Sequence, residues 1–150
     1  MRMKMYLALA LGLLSISLCI NAKCDLTGQW QNDLGSNMTV YVDKNGLIVG
    51  KYLTAVSTTN KTILESPLFG YQQSSGLPTF GFTVMWQFTN VITVFTGQCF
   101  RNETGQALQT TWLLREESSD AKHNWMQTRY HNTCLGSNGV SEDKQTIYCF

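Results

Sequence analysis

Amide and hydroxyl side chains recur at alternate positions in two short stretches of this chain. Asn32, Leu34 and Ser36 share one parity; Tyr52, Thr54 and Val56 share another and are followed by Ser57, Thr58 and Thr59. The same spacing joins Trp86 to Phe88, Thr93 to Phe95, and Trp112 to Leu114. Residues two apart on a strand face the same side. If these faces point inward, they enclose a pocket with aromatic walls and a few directed hydrogen-bonding groups, the usual build of a small-molecule site. Catalytic patterns do not stand out. The only histidines, His123 and His131, lie in or beside a polar stretch near the C-terminus, and a Ser–His–Asp arrangement needs one beside its nucleophile. No glycine-rich phosphate loop, His/Cys metal cluster or helix-borne carboxylate pair is visible. The expectation is a binding protein, not an enzyme, with no cofactor and no metal.

The elements that hold these residues must fit in one domain. The chain has 150 residues, 43% hydrophobic and 14% charged, with 11 basic against 10 acidic side chains. That balance lacks the basic excess that a phosphate backbone demands, so nucleic acid is not an expected partner. Arg2 and Lys4 precede an apolar run, Met5 to Ile20, shorter than the roughly 20 residues of a membrane span and placed as in a secretory signal. Residues 1–22 are therefore read as a signal peptide cut after Ala22, and residues 23–150 as the mature domain, secreted and without a membrane partner. Cys19 leaves with the signal. Cys24, Cys99, Cys134 and Cys149 remain, an even set for which two disulfides are expected and three connectivities stay open. Sequons at Asn37, Asn60 and Asn102 are candidate glycosylation sites.

Apolar alternation dominates the chain, and no helical period is sustained. Met38, Val40 and Val42 alternate before the turn residues Asp43-Lys44-Asn45-Gly46, and Leu47 to Tyr52 follows; this predicts a hairpin. Runs rich in β-branched and aromatic residues come at 79–89, 92–100, 108–114 and 125–133, separated by turn formers. With a first strand near Gly28–Gln31 and a weak one near Pro67–Tyr71, the count reaches eight. Eight short antiparallel strands without intervening helices predict an all-β fold, an up-and-down barrel wide enough for one small ligand. The polar segment Glu116–Asn124 is read as a loop or one helical turn.

At these residues the sequence resembles the avidin family, biotin-binding eight-stranded barrels. The matching stretches are Cys24-x-Leu-Thr-Gly-x-Trp30-x-Asn-Asp-Leu-Gly-Ser-Asn-Met-Thr39, Tyr52-x-Thr-Ala-Val56, Glu65-Ser-Pro-Leu68, Pro78-Thr-Phe-Gly-Phe-Thr-Val84, Thr93-Val-Phe-Thr-Gly-Gln-Cys-Phe100 and Trp112-Leu-Leu-Arg115. The resemblance implies that Asn32, Ser36 and Tyr52, at the blind end of the barrel, donate to the ureido oxygen of biotin and that Thr54 accepts from one ureido N–H. It places Thr93 at the thioether sulfur, and Trp86, Phe88, Phe95 and Trp112 around the rings and valeryl chain, with Leu34 and Leu114 beside them. Val56 belongs to the same ligand-binding set. Ser57, Thr58, Thr59 and Thr89 correspond to the part that holds the carboxylate. Trp125 corresponds to a residue that lids a neighbouring subunit's site, which implies a homotetramer. The resemblance also implies a Cys24–Cys99 bridge, leaving Cys134–Cys149 as the simplest second pair and intermolecular pairing as the alternative.

Two departures bear on affinity. Val91 stands where the family has a serine that touches the carboxylate, and Thr133 stands where the family has an Asn or Asp that accepts from the second ureido N–H. Asn132 precedes it, and a one-residue slip would turn Asn132 inward instead. The tail from Cys134 to Phe150 has no family counterpart; a strand ending at Cys134 would be shorter than usual and would put its subunit contacts in doubt. Gly28-x-Trp30 leaves a lipocalin-like carrier of an apolar ligand as an alternative, and an avidin-fold subunit with weakened binding as another.

Overall fold

The computed structural model describes residues 23–102 and 105–137. The expected signal peptide, the Asn102 sequon's Glu103 and Thr104, and the tail with Cys149 lie outside the described residues. Eight strands run β1 (Gly28–Asn32), β2 (Asn37–Val42), β3 (Leu47–Leu53), β4 (Ser66–Gln72), β5 (Thr79–Met85), β6 (Ile92–Asn102), β7 (Gly105–Arg115) and β8 (Thr128–Ser137). Each pairs antiparallel with the next, and β8 returns to β1, closing the barrel in sequence order. Closure leaves no free sheet edge.

Burial alternates along the strands as the apolar pattern requires. Met38 and Val40 on β2, Ile48 and Tyr52 on β3, and Phe80, Phe82 and Val84 on β5 are buried. The predicted β2–β3 hairpin forms around Asp43, whose Oδ1 accepts from the backbone N–H of Asn45 (2.8 Å) and Leu47 (2.9 Å). Gly46 follows at φ +81°, the left-handed region where a side chain is strained. A Cβ there would also stand 2.6 Å from the Gln72 carbonyl oxygen.

One end of the barrel is shut by the segment before β1. Cys24 is bonded to Cys99 on β6 with Cα atoms 5.9 Å apart, and its N–H donates to the Gly76 carbonyl at 2.9 Å. Leu26 is buried behind it, and its carbonyl accepts from the Trp30 indole at 2.8 Å. Trp30, Leu108 and Leu135 fill the interior next to this plug. The space left for a ligand is consequently confined to the other end, where the β1–β2, β3–β4, β5–β6 and β7–β8 connections lie.

Three expectations about elements are corrected. The run at 79–89 gives a strand only to Met85, because Trp86 to Val91 turn the chain toward β6. Trp125 is not on a strand: Asn124–Gln127 form a 3-10 turn, and β8 begins at Thr128. That strand does not stop at Cys134 but continues to Ser137, with Trp30, Gln31 and Asn32 of β1 paired to Ser137, Gly136 and Leu135.

Candidate functional site

Asn32 closes β1 and is buried. Its Oδ1 accepts from the backbone N–H of Leu34 (3.1 Å) and Ser36 (2.8 Å). With the acceptor half of the amide committed, Nδ2 is the group left to donate. Ser36 is buried ahead of β2, and its Oγ accepts from the Ala55 N–H at 3.0 Å, which ties the start of the β3–β4 loop to the β1–β2 turn. The Ser36 hydroxyl is near enough to the Tyr52 phenol to act on its ionisation. Burial, above all, pushes the Tyr52 phenol up to about 12; the Ser36 hydroxyl offsets part of this and the Asp33 charge adds to it. The phenol is a proton donor throughout the physiological range.

Thr54 and Thr93 have their hydroxyls assigned in opposite senses. The Thr54 hydroxyl donates to the Val56 carbonyl at 2.8 Å and its oxygen accepts from the Val56 N–H at 3.2 Å, which leaves that oxygen one further lone pair to accept with. Thr93, buried at the start of β6, accepts from the Trp86 indole at 2.8 Å, so its own proton is left to donate. Rings gather beside Thr93. Tyr52 meets Trp86 edge-on and stacks with Phe95, both at 5.6 Å between centroids, and Trp86 meets Phe88 at 5.8 Å. Phe95 lies opposite Trp112, and Thr93 opposite Leu114, in the β6–β7 register. Edge-on and offset ring pairs each add about 0.5–1.5 kcal/mol beyond their burial, so the wall is stiff before any ligand arrives.

The register of β8 decides between Asn132 and Thr133. Thr133 pairs with Thr110, whose side chain is buried, whereas Asn132 pairs with Thr111. The Thr111 hydroxyl donates to Asn132 Oδ1 at 2.8 Å on the exposed face. Thr133 is the inward residue, with no slip. Its hydroxyl donates to Asp33 Oδ1 at 3.3 Å.

The structure gathers Asn32, Ser36, Tyr52, Thr54, Trp86, Phe88, Thr93, Phe95, Trp112, Leu114 and Thr133 at one end of the barrel. Their donors lie beside the connecting loops, not at the plugged end, so a blind end can only be the apolar core beneath them. Leu34, expected beside the rings, occupies the β1–β2 turn at 59% exposure, and Val56 is exposed as well. Ser57, Thr58 and Thr59 are exposed in the β3–β4 loop, where the Ser57 and Thr59 hydroxyls bond at 3.1 Å. Thr89 is half-buried in the β5–β6 turn. Trp125 is 83% exposed and lines a surface pocket with Leu113, Arg115, Asn124, Thr128 and Tyr130, none of them in that cluster.

Several residues at this end escape reasoning from spacing. Ser66 is fully buried; its hydroxyl donates to the Leu64 carbonyl and accepts from the Gln87 N–H, both at 3.1 Å, joining the β3–β4 and β5–β6 loops. Its place in the matched Glu65-Ser-Pro-Leu68 stretch was the available signal. His131 shares the inward face of Trp112 across β7–β8, with the rings stacked at 6.3 Å. Arg115 holds the 3-10 turn: its guanidinium donates to the Asn124 carbonyl (2.6 Å), to the Thr128 hydroxyl (2.8 Å) and to Asn124 Oδ1. Nothing in the sequence marks that clamp.

With this geometry in place, comparison with known proteins is decisive. A profile described as the Avidin family matches residues 20–134. The chain belongs to the avidin family. It is 51% identical over 112 residues to Avidin of Gallus gallus, covering 71% of this chain and 74% of that one. Among solved structures, Xenavidin superposes with a TM-score of 0.74 at 50% identity, covering 77% of this chain and 98% of that one. A biotin binding protein from chicken gives a TM-score of 0.74 at 49% identity, covering 78% and 98%. Avidin-family membership displaces the lipocalin-like alternative. The Cys24–Cys99 bridge implied by the resemblance is present. Cys134 is disulfide-bonded too, and its expected partner Cys149 is outside the described residues.

Proposed function

We propose that this avidin-family chain is a secreted, high-affinity biotin-binding protein that holds biotin non-covalently, performs no chemistry on it, and works as a glycosylated homotetramer. The observation that carries the reading is the proton inventory at the open end. Asn32 Nδ2 and the hydroxyls of Ser36 and Tyr52 are three donors, while Thr54 and Thr133 have given their protons away, to Val56 and Asp33, and are two acceptors. A cyclic urea offers one carbonyl oxygen and two N–H groups, which is the complementary set. Because hydroxyls rotate, those of Ser36 and Tyr52 can both turn to a shared acceptor.

Complementarity of this kind is required in a dry site. Each polar group buried without a partner costs roughly 2–7 kcal/mol, so a urea enters only where every group is met. The partners are fixed by strands and by their own hydrogen bonds, which lowers the ordering cost of binding. The free proton of Thr93 suits a thioether sulfur, a weak acceptor. The rings of Trp86, Phe88, Phe95 and Trp112 supply apolar walls for the bicycle and chain. Ser57, Thr58, Thr59 and Thr89 take the carboxylate, with Val91 supplying no donor. Loss of one charge-assisted bond at a solvent-facing mouth weakens affinity by less than the about 1.5–3 kcal/mol such a bond is worth when buried.

Assembly is supported by the outer wall. Phe69, Thr83, Val94, Leu113 and Tyr130 are successive cross-strand partners from β4 to β8, and Phe69, Val94, Leu113 and Tyr130 are exposed. An exposed apolar row of this sort, interrupted only by Thr83, is the kind of surface that marks a contact. Trp125 lines a surface pocket with Leu113 and Tyr130 of this row, which supports a role at a second copy's site. Calorimetric titration of the secreted chain with biotin tests the reading: one site per subunit with a large favourable enthalpy is expected, and absence of heat at millimolar biotin rejects it.

A further inference from the structure

The three sequons fall in three different places. Asn37 opens β2 on its outer face, between buried Ser36 and Met38. Asn102 ends β6 at the plugged end of the barrel, where its Oδ1 accepts from the Gly105 N–H at 3.1 Å. Asn60 stands in the β3–β4 loop at the open end, exposed, and next to Thr59. Consecutive Cα atoms are about 3.8 Å apart. Anything attached to Asn60 therefore begins within a few ångströms of the hydroxyls assigned to the ligand's carboxylate.

Hydrogen bonding sets Asn60 apart as well. The Asn37 amide accepts from Gln31 Nε2 (3.2 Å) and donates to the Gly35 carbonyl (3.3 Å). The loop around Asn60 is shaped instead by its hydroxyl neighbours, the Thr59 N–H donating to Ser57 Oγ at 3.1 Å and the Lys61 N–H to Thr59 Oγ1 at 3.4 Å. These bonds keep Ser57, Thr59 and Asn60 in one compact loop while the Asn60 side chain projects into solvent.

We propose that Asn60 carries an N-linked glycan that acts as a size filter over the mouth, admitting free biotin and slowing biotin that is already joined through its carboxyl group to a protein. The inference rests on the biotin reading above. In the modification, Asn60 Nδ2 forms a bond to the anomeric carbon of an oligosaccharide. The bond from that carbon to a lipid-linked diphosphate breaks, the diphosphate leaves with the electron pair, and the amide nitrogen loses one proton. The co-reactant is the lipid-diphosphate oligosaccharide of the secretory compartment. A glycan is bulky and solvated. Free biotin passes it, whereas a conjugate has its carrier attached at the carboxylate, in the volume the glycan sweeps. The penalty falls on association, where docking two specific surfaces is already orientation-limited.

The test uses the full chain secreted from cells that perform N-glycosylation. Glycopeptide mass spectrometry reads occupancy at Asn37, Asn60 and Asn102, and stopped-flow measurements read association with free biotin and with biotin coupled to lysines of a globular carrier protein. Asn60 is expected to be occupied. Asn60→Gln and Thr62→Ala, which remove the same sequon by different residues, should each speed the conjugate by about tenfold and leave free biotin unchanged. Asn37→Gln and Asn102→Gln should alter neither rate. A bare Asn60 beside an occupied Asn37, or an occupied Asn60 with conjugate rates that match the two variants, overturns the filter while leaving biotin binding intact. Failure of every form to bind free biotin overturns both, and is told apart by that measurement.

Discussion

The Thr133 hydroxyl donates to Asp33 Oδ1 across the junction of β8 with the β1–β2 turn, at 3.3 Å. This bond turns a residue that looks like a substitution into an acceptor. A threonine hydroxyl free to rotate can be donor or acceptor; one whose proton is held by a carboxylate can only accept. Asp33 thereby fixes the polarity of a group it adjoins, without entering the set of ligand contacts.

Thr133→Ala removes that acceptor and should raise the biotin dissociation rate by about 10- to 100-fold, in line with about 1–3 kcal/mol for one buried N–H left unmet. Asp33→Ala should produce a smaller rise. Because the two residues act as one unit, the double variant should be no worse than Thr133→Ala alone. Additive dissociation rates would contradict the role given to Asp33.

Alkaline pH should act through Tyr52. Its folded-state value, about 12, lies above the ordinary tyrosine value of 10.0, so the fold favours the neutral phenol. The stability this contributes is complete below pH about 10 and is lost as pH rises toward about 12, amounting to about 3 kcal/mol. Denaturant unfolding from pH 9 to 12 checks it, and Tyr52→Phe should flatten that part of the decline. The same variant should weaken biotin binding at neutral pH by about 1–3 kcal/mol through one lost donor.

Arg115→Ala should free the turn that displays Trp125. Backbone N–H groups at Asn124 and Met126 are expected to exchange faster by hydrogen-exchange mass spectrometry, and biotin release should quicken as Trp125 loses its fixed position. Arg115→Lys cannot span the Asn124 and Thr128 oxygens together, so it should resemble the alanine variant more than the parent. Unchanged exchange in this turn would count against the clamp.

Cys24 and Cys99 are separated by 75 positions, and their bridge holds the plug over one end of the barrel. Replacing both by alanine should lower stability by about 2–5 kcal/mol, read as an earlier denaturation midpoint. Binding should persist in the cold, since the bridge lies at the end away from the site.

Assembly should depend on the outer band. Val94→Lys together with Leu113→Lys places charges on two adjacent strands in the row that joins Phe69 to Tyr130. Sedimentation velocity should then report monomers in place of tetramers. A parent chain that sediments as a monomer would remove the assembly reading altogether.

Much of this was legible in the sequence because strand periodicity and burial are one signal. The alternation through Met38, Val40 and Val42 and the Asp43–Gly46 turn gave the β2–β3 hairpin directly, and the matched stretches carried the residues that line the open end. The last strand resisted for a physical reason. Tyr130, His131 and Asn132 are all polar or amphipathic and all exposed, so no apolar alternation says which side faces in; only pairing with β7 does. Trp125 misled in the same way, since an aromatic before a strand reads as part of it, and the Arg115 bonds that hold it in a turn join residues with no shared spacing. The position of the donors relative to the plug follows from the Cys24–Leu26 segment crossing the barrel, a tertiary fact that no local pattern contains.

The most direct test of the central claim is a crystal structure of the chain with biotin. The account requires the ureido oxygen within hydrogen-bond distance of Asn32 Nδ2, Ser36 Oγ and Tyr52 Oη, and the two ureido N–H groups directed at Thr54 Oγ1 and Thr133 Oγ1. Biotin bound elsewhere, or in this end with its ureido group turned toward the loops, would contradict it.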